Sequence, residues 1–308
     1  MSNLTASLVK ELREKTGSGM MDCKKALAET NGDIDSAVDW LRAKGLSAAA
    51  KKSGRTAAEG LVSVFLKNNE AAILEVNTET DFVSRNASFQ DFVQNTAELV
   101  LKSKGDLTNL LSSQVHGKSI SVKEELTNLI SKIGENMNVR RSSYLSIDKG
   151  FIASYIHSAV KQNLGKIGVI VSISAESESS TLSEFGKKLA MHIAATNPKF
   201  ININDVDKAT LDRERQVLKE QALESGKPEE VVEKMVDGRI RKFYDEIVLL
   251  EQIFVVSDEK MKVKQAISQI ETETGSKIII NDFIRYTLGE GVEREEKDFA
   301  SEVAEVAR

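Results

Sequence analysis

Between residues 5 and 45 the apolar positions recur at helical spacing in three short groups. Leu8, Val9 and Leu12 share a face of the first, Gly17 is placed to end it, and Met20 to Ala28 forms the second. Asp33, after Gly32, is positioned as the N-cap of a third helix bearing Ile34, Ala37, Val38 and Leu41. Three helices of this size enclose a marginal core, so contacts with a neighbour are expected to support the module, which we bound at residues 1–46. Ser47 to Arg55 (SAAAKKSGR) holds small and basic residues without an apolar stripe and predicts a linker, assigned to 47–59.

From Gly60 the period changes to β character. Leu61 to Leu66 and Ala72 to Val76 flank the polar break Lys67-Asn68-Asn69-Glu70 and predict a hairpin. A helix follows, with Phe89, Phe92, Val93 and Leu99 or Val100 as its buried stripe. The same order returns after Gly150: strand Phe151 to His157, a polar loop Ser158 to Lys166, strand Ile167 to Ile173, then a helix carrying Leu182, Phe185, Leu189 and Ile193. Strand, loop, strand, helix occurring twice predicts two related α+β core subdomains, 60–145 and 146–275. Two highly charged helical segments interrupt the second, Asp205 to Ser225 and Pro228 to Val248, joined through Gly226-Lys227 with Pro228 at a first helical position. Their apolar stripe (Val206, Leu211, Val217, Leu218, then Val231, Val232, Met235, Ile240) is too narrow for deep burial, so a protruding antiparallel hairpin over 205–248 is expected. A C-terminal module, 276–308, comprises a β-like run from Lys277 to Asn281 continuing into Phe283 to Leu288, and an amphipathic helix with Phe299, Val303 and Val306.

Composition narrows the function class. Forty-two basic against 47 acidic residues give a net charge of −5, with no basic footprint for direct nucleic-acid binding. There is no apolar run long enough for a membrane span, and the first fifteen residues, rich in Lys and Glu, resemble neither a secretory signal nor a transit peptide. One cysteine, Cys23, fits a reducing compartment, so a cytoplasmic protein is expected.

Enzymatic chemistry finds little support. His116, His157 and His192 lack the paired spacing of a zinc site, there is no G-x-x-x-x-G-K-[ST] loop and no G-x-S-x-G elbow. Neither a cofactor nor a metal is expected. The informative stretch is Glu75-Val76-Asn77-Thr78-Glu79-Thr80-Asp81-Phe82-Val83, where a strand ends in a polar turn that nevertheless carries Phe82 and Val83. Sequence physics alone favours Phe82 packing inward; the alternative is an aromatic presented to a partner as an anchor.

Several segments in order resemble the elongation factor Ts family: LREKTGSGMMDCKKAL (Leu12 to Leu27), EVNTETDFVSR (Glu75 to Arg85), KIGENMNVRR (Lys132 to Arg141), AMHIAATNPKF (Ala190 to Phe200), SGKPEEVVEKMVDGR (Ser225 to Arg239) and FIRYTLGEGVE (Phe283 to Glu293). The resemblance implies a non-enzymatic guanine nucleotide exchange factor that binds GDP-bound and nucleotide-free elongation factor Tu, dislodges magnesium and lets GTP replace GDP. It further implies that Thr80, Asp81, Phe82 and Val83 enter the partner's nucleotide-binding domain with the aromatic as a wedge. Arg13, Met20, Met21 and Lys24 look like the family's surface for that same domain, and Ile133, Gly134 and His157 match positions facing other parts of the partner. Some members form homodimers through the hairpin region, and the sequence leaves that state open here. Glu79 departs from the residue common before the TDFV tetrad and adds local negative charge. Two other readings compete: a general interaction protein, since the three-helix module also resembles ubiquitin-associated domains, and a small-molecule enzyme using carboxylates between the repeats.

Overall fold

The three helical groups at the start of the chain fold as α1 (Ala6–Thr16), α2 (Met20–Glu29) and α3 (Ile34–Lys52). The structure is a computed structural model describing residues 5–16, 18–176, 179–223 and 229–293, so Gly17 lies outside it. Asp33 caps α3 by accepting the Ser36 N–H at 2.7 Å, as its position predicts. Leu12, Cys23, Ala26, Leu27 and Ala37 form a small, fully buried core. The expected linker is helical as far as Lys52. Ala48, Ala49 and Ala50 are strong helix formers, and Lys51 and Lys52 sit at the negative end of the helix dipole, so the segment needs no apolar stripe to continue α3.

Strands β1 (Glu59–Lys67) and β2 (Glu70–Thr78) make the predicted hairpin, turning through Asn68 at φ 54°. Next come α4 (Ala87–Ser103), α5 (Leu107–Ser112), α6 (Val122–Ile133) and β3 (Met137–Ser146). The second half contains β4 (Phe151–His157), the short β5 (Leu164–Gly165), β6 (Ile167–Ser174) and α7 (Ser180–Thr196). It continues with α8 (Lys208–Leu223), α9 (Glu229–Ile247), α10 (Val263–Thr274) and β7 (Ile279–Thr287). The mixture of helices and sheets is α+β. Strand order is β3-β2-β1-β5 in one sheet and β4-β6-β7 in the other. The run placed in the C-terminal module is therefore a strand of the second sheet, antiparallel to β6.

Side-chain alternation dictates how these sheets stack. Along β2, Ala72, Leu74 and Val76 pack with Phe89, Val93 and Leu129 of α4 and α6, whereas Ala71 and Ile73 point to the opposite face. Along β6, Val169, Val171 and Ile173 pack with Leu182, Leu189 and Ile267 of α7 and α10, while Ile170 joins Val62, Val64 and Ile73. The result is two sheets face to face with helices on both outer surfaces. Gly168 allows their close approach, since a Cβ there would lie 2.7 Å from Val62 Cγ1.

The neighbour that supports the three-helix module is α6. Gly45 of α3 faces Ser131 and Thr127, which a Cβ added there would meet at ordinary van der Waals distances, and Arg42 pairs with Glu124. Helices α8 and α9 run antiparallel, tied by Arg215–Asp237 and Lys219–Glu233, each at 2.9 Å. Their seam buries Ala222, Val232, Val236 and Ile240 against Leu211, Leu218 and Tyr244. Gly226, Lys227 and Pro228, and the expected terminal helix with Phe299, Val303 and Val306, lie outside the described residues.

Candidate partner-binding surface

The chain leaves β2 at Thr78 and enters α4 at Ala87, and the eight residues between them form a tightly bonded turn. Ser84 donates from its N–H and its hydroxyl to the Asp81 carbonyl, at 3.1 and 2.5 Å, and the Arg85 N–H donates to the Phe82 carbonyl at 3.1 Å. Asn86 caps α4 through the Phe89 N–H at 3.3 Å, and Gln90 Nε2 reaches back to the Ser84 carbonyl at 2.8 Å. Val83 and Ser84 are buried, Val83 in the core shared with α4, while Asp81 is exposed. Phe82 is 76% exposed. The expectation that Phe82 staples the turn onto the core is thus corrected: Val83 performs that role and the aromatic stands in solvent.

A second layer of bonds fixes the start of this turn. The Thr80 N–H and hydroxyl both donate to the Glu135 carboxylate, at 3.0 and 2.6 Å, and the Thr78 hydroxyl donates to the Thr80 carbonyl at 2.6 Å. In return Glu79 accepts the Asn136 N–H and pairs with Arg55 Nη1 at 3.5 Å, while Asn136 Nδ2 donates to the Arg55 carbonyl at 2.6 Å. The negative charge noted at Glu79 is accordingly held against a local cation rather than offered freely to solvent. Sequence reading missed Glu135, Asn136 and Arg55 in this role.

The other expected residues divide into groups. Met20 and Met21, at the start of α2, are 60% and 73% exposed, and Arg13 and Lys24 are exposed beside them on α1 and α2. Ile133 ends α6 and packs against the first core, and Gly134 caps that helix at φ 91°, immediately before Glu135, so both adjoin the Thr80–Val83 turn. His157 belongs to the other sheet, exposed at the end of β4, with the Tyr155 hydroxyl 3.2 Å from Nδ1. Cys23 is fully buried and burial pushes its thiol up, which disfavours the reactive thiolate. His192 is also fully buried: the Val255 N–H donates to Nδ1 at 3.3 Å, so Nε2 carries the proton toward Gln252 Oε1 at 2.9 Å. Burial drives its pKa down to about 4, only partly offset by the Gln252 bond. It is a neutral internal bolt between α7 and the segment around Gln252.

The Elongation factor TS family profile matches residues 79–290, beginning within the clamped turn. Elongation factor Ts of Rhodospirillum centenum is 53% identical over 307 residues, covering 100% of both chains. The chain belongs to the elongation factor Ts family. Elongation factor Ts of Rhodospirillum rubrum is 52% identical over 305 residues, covering 99% of this chain and 98% of the other, and that of Agrobacterium fabrum is 50% identical over 308 residues, covering 100% of each. As a member of the elongation factor Ts family the chain is a translation factor of protein biosynthesis, in the exchange-factor class that serves elongation factor Tu. The family profile covers Thr80 to Val83, Ile133, Gly134 and His157, and the whole-chain similarities extend the match over the module bearing Met20 and Met21.

Proposed function

We propose that this chain binds GDP-bound and nucleotide-free elongation factor Tu, dislodges magnesium from the GDP-bound form and speeds GDP release so that GTP can rebind. It acts without making or breaking a covalent bond, and it works in the cytoplasm where elongation occurs. The observation that carries this reading is the solvent-exposed Phe82 on a turn that buries Val83 and Ser84 behind it and is hydrogen-bonded on both sides of the ring, at Thr80 and at Ser84. A rigidly presented aromatic enters a partner at small entropic cost, and we assign the exposed carboxylate of Asp81 beside it to disturbing the partner's magnesium ligands.

Magnitudes show that Phe82 cannot act alone. A ten-thousand-fold acceleration lowers the release barrier by about 5.5 kcal/mol, whereas burying one phenylalanine gives about 1.5 to 3 kcal/mol. Other contacts must share the bias toward the nucleotide-free partner, and the exposed Met20 and Met21 with Arg13 and Lys24 supply one such surface. Ile133 and Gly134 extend the turn's surface, and His157 supplies a contact from the second sheet. The two sheet-and-helix units act as related subdomains that hold these surfaces apart, with the α8–α9 hairpin projecting from the second. Stopped-flow release of fluorescent GDP from elongation factor Tu at fixed magnesium tests the function. Strong acceleration by this chain is the expected result; release at the spontaneous rate with an active partner would contradict it.

A further inference from the structure

We infer that Glu135 is a positioning residue for exchange: its carboxylate holds Thr80 and thereby presents Phe82, a role that rests on the reading of Phe82 as the partner-facing wedge. The geometry carries this in three parts. First, one carboxylate takes both donors of Thr80, the backbone N–H at 3.0 Å to Oε2 and the hydroxyl at 2.6 Å to Oε1, so it fixes the peptide plane and the side chain of one residue together. Charge-assisted bonds of this kind are about twice as strong as neutral ones. Second, the hold is reciprocal. Glu79, one residue earlier in the turn, accepts the Asn136 N–H, one residue after Glu135, so residues 79–80 and 135–136 exchange bonds across more than fifty positions of sequence. Third, Glu135 follows the left-handed cap Gly134 at the end of α6, the helix against which α3 of the amino-terminal module packs through Gly45 and Arg42. The module carrying Met20 and Met21 and the turn carrying Phe82 are therefore referenced to the same rigid helix.

Without the clamp the turn keeps its inner bonds, from Ser84, Arg85 and Gln90, and Val83 stays buried. What it loses is the anchor on the strand side, so Phe82 samples several positions and the ordering cost falls on the encounter with the partner. Glu135 is only half-buried and lies in a loop, so its replacement leaves the cores intact.

The test compares GDP release from elongation factor Tu driven by wild type, Glu135→Ala, Glu135→Gln, Phe82→Ala and the double variant Glu135→Ala/Phe82→Ala. Glu135→Ala is expected to slow exchange about tenfold, from the loss of two charge-assisted bonds. Glu135→Gln, which retains an acceptor for the Thr80 N–H, is expected to recover most of the rate. In the Phe82→Ala background the Glu135→Ala change should cost less than about twofold, because a clamp has no value without the group it presents. Hydrogen exchange of the Thr80 amide should quicken in Glu135→Ala while α4 and α7 keep their protection. Thr80→Val, which removes the hydroxyl donor alone, gives a second and milder version of the same loss. An unchanged rate in Glu135→Ala, or an equal loss with and without Phe82, overturns the inference. A failure of wild type to accelerate release, or an unaffected Phe82→Ala, instead overturns the function or the wedge on which the inference rests, so the failures are distinguishable.

Discussion

The two halves of the core have the same frame and differ in the connections between its elements: α8 and α9 follow α7 where only the short α5 follows α4, and the passage from middle strand to helix differs as well. Each opens at a left-handed glycine, Gly60 or Gly150, where a Cβ would strike a carbonyl oxygen at 2.1 Å, that of Val76 or of Ile173. Each middle strand faces a bulge in its neighbour: the pairing shifts at Glu75/Val76 around Arg140 of β3 and at Ser172/Ile173 around Asn281 of β7. Each leads to a 17-residue helix ended by a left-handed residue, Lys104 or Asn197. An isolated bridge follows later in both, Gln114–Ser121 and Ile253–Lys262, then a helix capped by a left-handed glycine, then an edge strand of the sheet, β3 or β7. Between middle strand and helix, however, the first half inserts the clamped turn from Glu79 to Asn86, whereas the second passes from Ala175 to Ser179 without an aromatic. A shared frame supplies rigidity twice, and the exposed aromatic of the proposed wedge sits in a connection that one half has and the other lacks.

Substitutions that strike the shared frame should have the largest effects on stability. Gly60→Ala and Gly150→Ala each force a side chain into backbone that cannot move aside, and each should cost about 3 to 4 kcal/mol in denaturant unfolding. A marked difference between the two would break the equivalence of the halves. Next comes a point where they diverge inside the frame. Fully buried Glu75 accepts from Arg140 at 3.0 Å, Arg141 at 2.6 Å and the Gly289 N–H at 2.8 Å, tying β3 and the turn after β7 to β2. At the other bulge, Ser172 donates to the Asp282 carbonyl at 3.2 Å. Glu75→Ala removes the buried carboxylate shared by two half-buried arginines, which keep their contacts to Thr287 and Glu290, and should cost about 3 kcal/mol, against about 1 kcal/mol for Ser172→Ala.

A third contrast is titratable. In the unfolded chain His192 takes a proton near pH 6.5, whereas in the folded chain it resists until about 4. The unfolded state therefore binds more protons in that window, and stability falls as pH drops from about 6.5 toward 4, by about 2 to 3 kcal/mol, and is unaffected by this group above it. The residue at the matching turn of α4 is Leu99, so His192→Leu should abolish this slope in urea unfolding measured across pH. A persistent slope would place the acid sensitivity elsewhere.

Much of this architecture was legible because it is locally encoded. Alternation and helical spacing give β1, β2, α4, β4, β6 and α7, and the residues assigned to the α4 and α7 stripes are those buried. The helix α6 carried a readable sign that sequence analysis passed over, the capping box Ser121-x-x-Glu124 before Leu126, Leu129 and Ile130. Strand β3 was hidden for a different reason. Its Arg140 and Arg141 look like surface residues, and in the sheet they pair with Glu75, distant in sequence. The turn's sequence exposed an unusual Phe82 but not its direction. That depends on Val83 taking the inward position and on Glu135 reaching Thr80 from another element, neither of which a local pattern contains.

The smallest effect on stability should accompany the largest effect on function. The decisive measurement is the rate of GDP release from elongation factor Tu driven by Phe82→Ala beside wild type, with both unfolding curves recorded. Removing an exposed ring should leave stability within about 0.5 kcal/mol and slow exchange by about 10- to 100-fold, the rate equivalent of about 1.5 to 3 kcal/mol. Exchange at the wild-type rate by a folded Phe82→Ala protein would contradict the account, since the exposed ring proposed as the wedge would then carry no function.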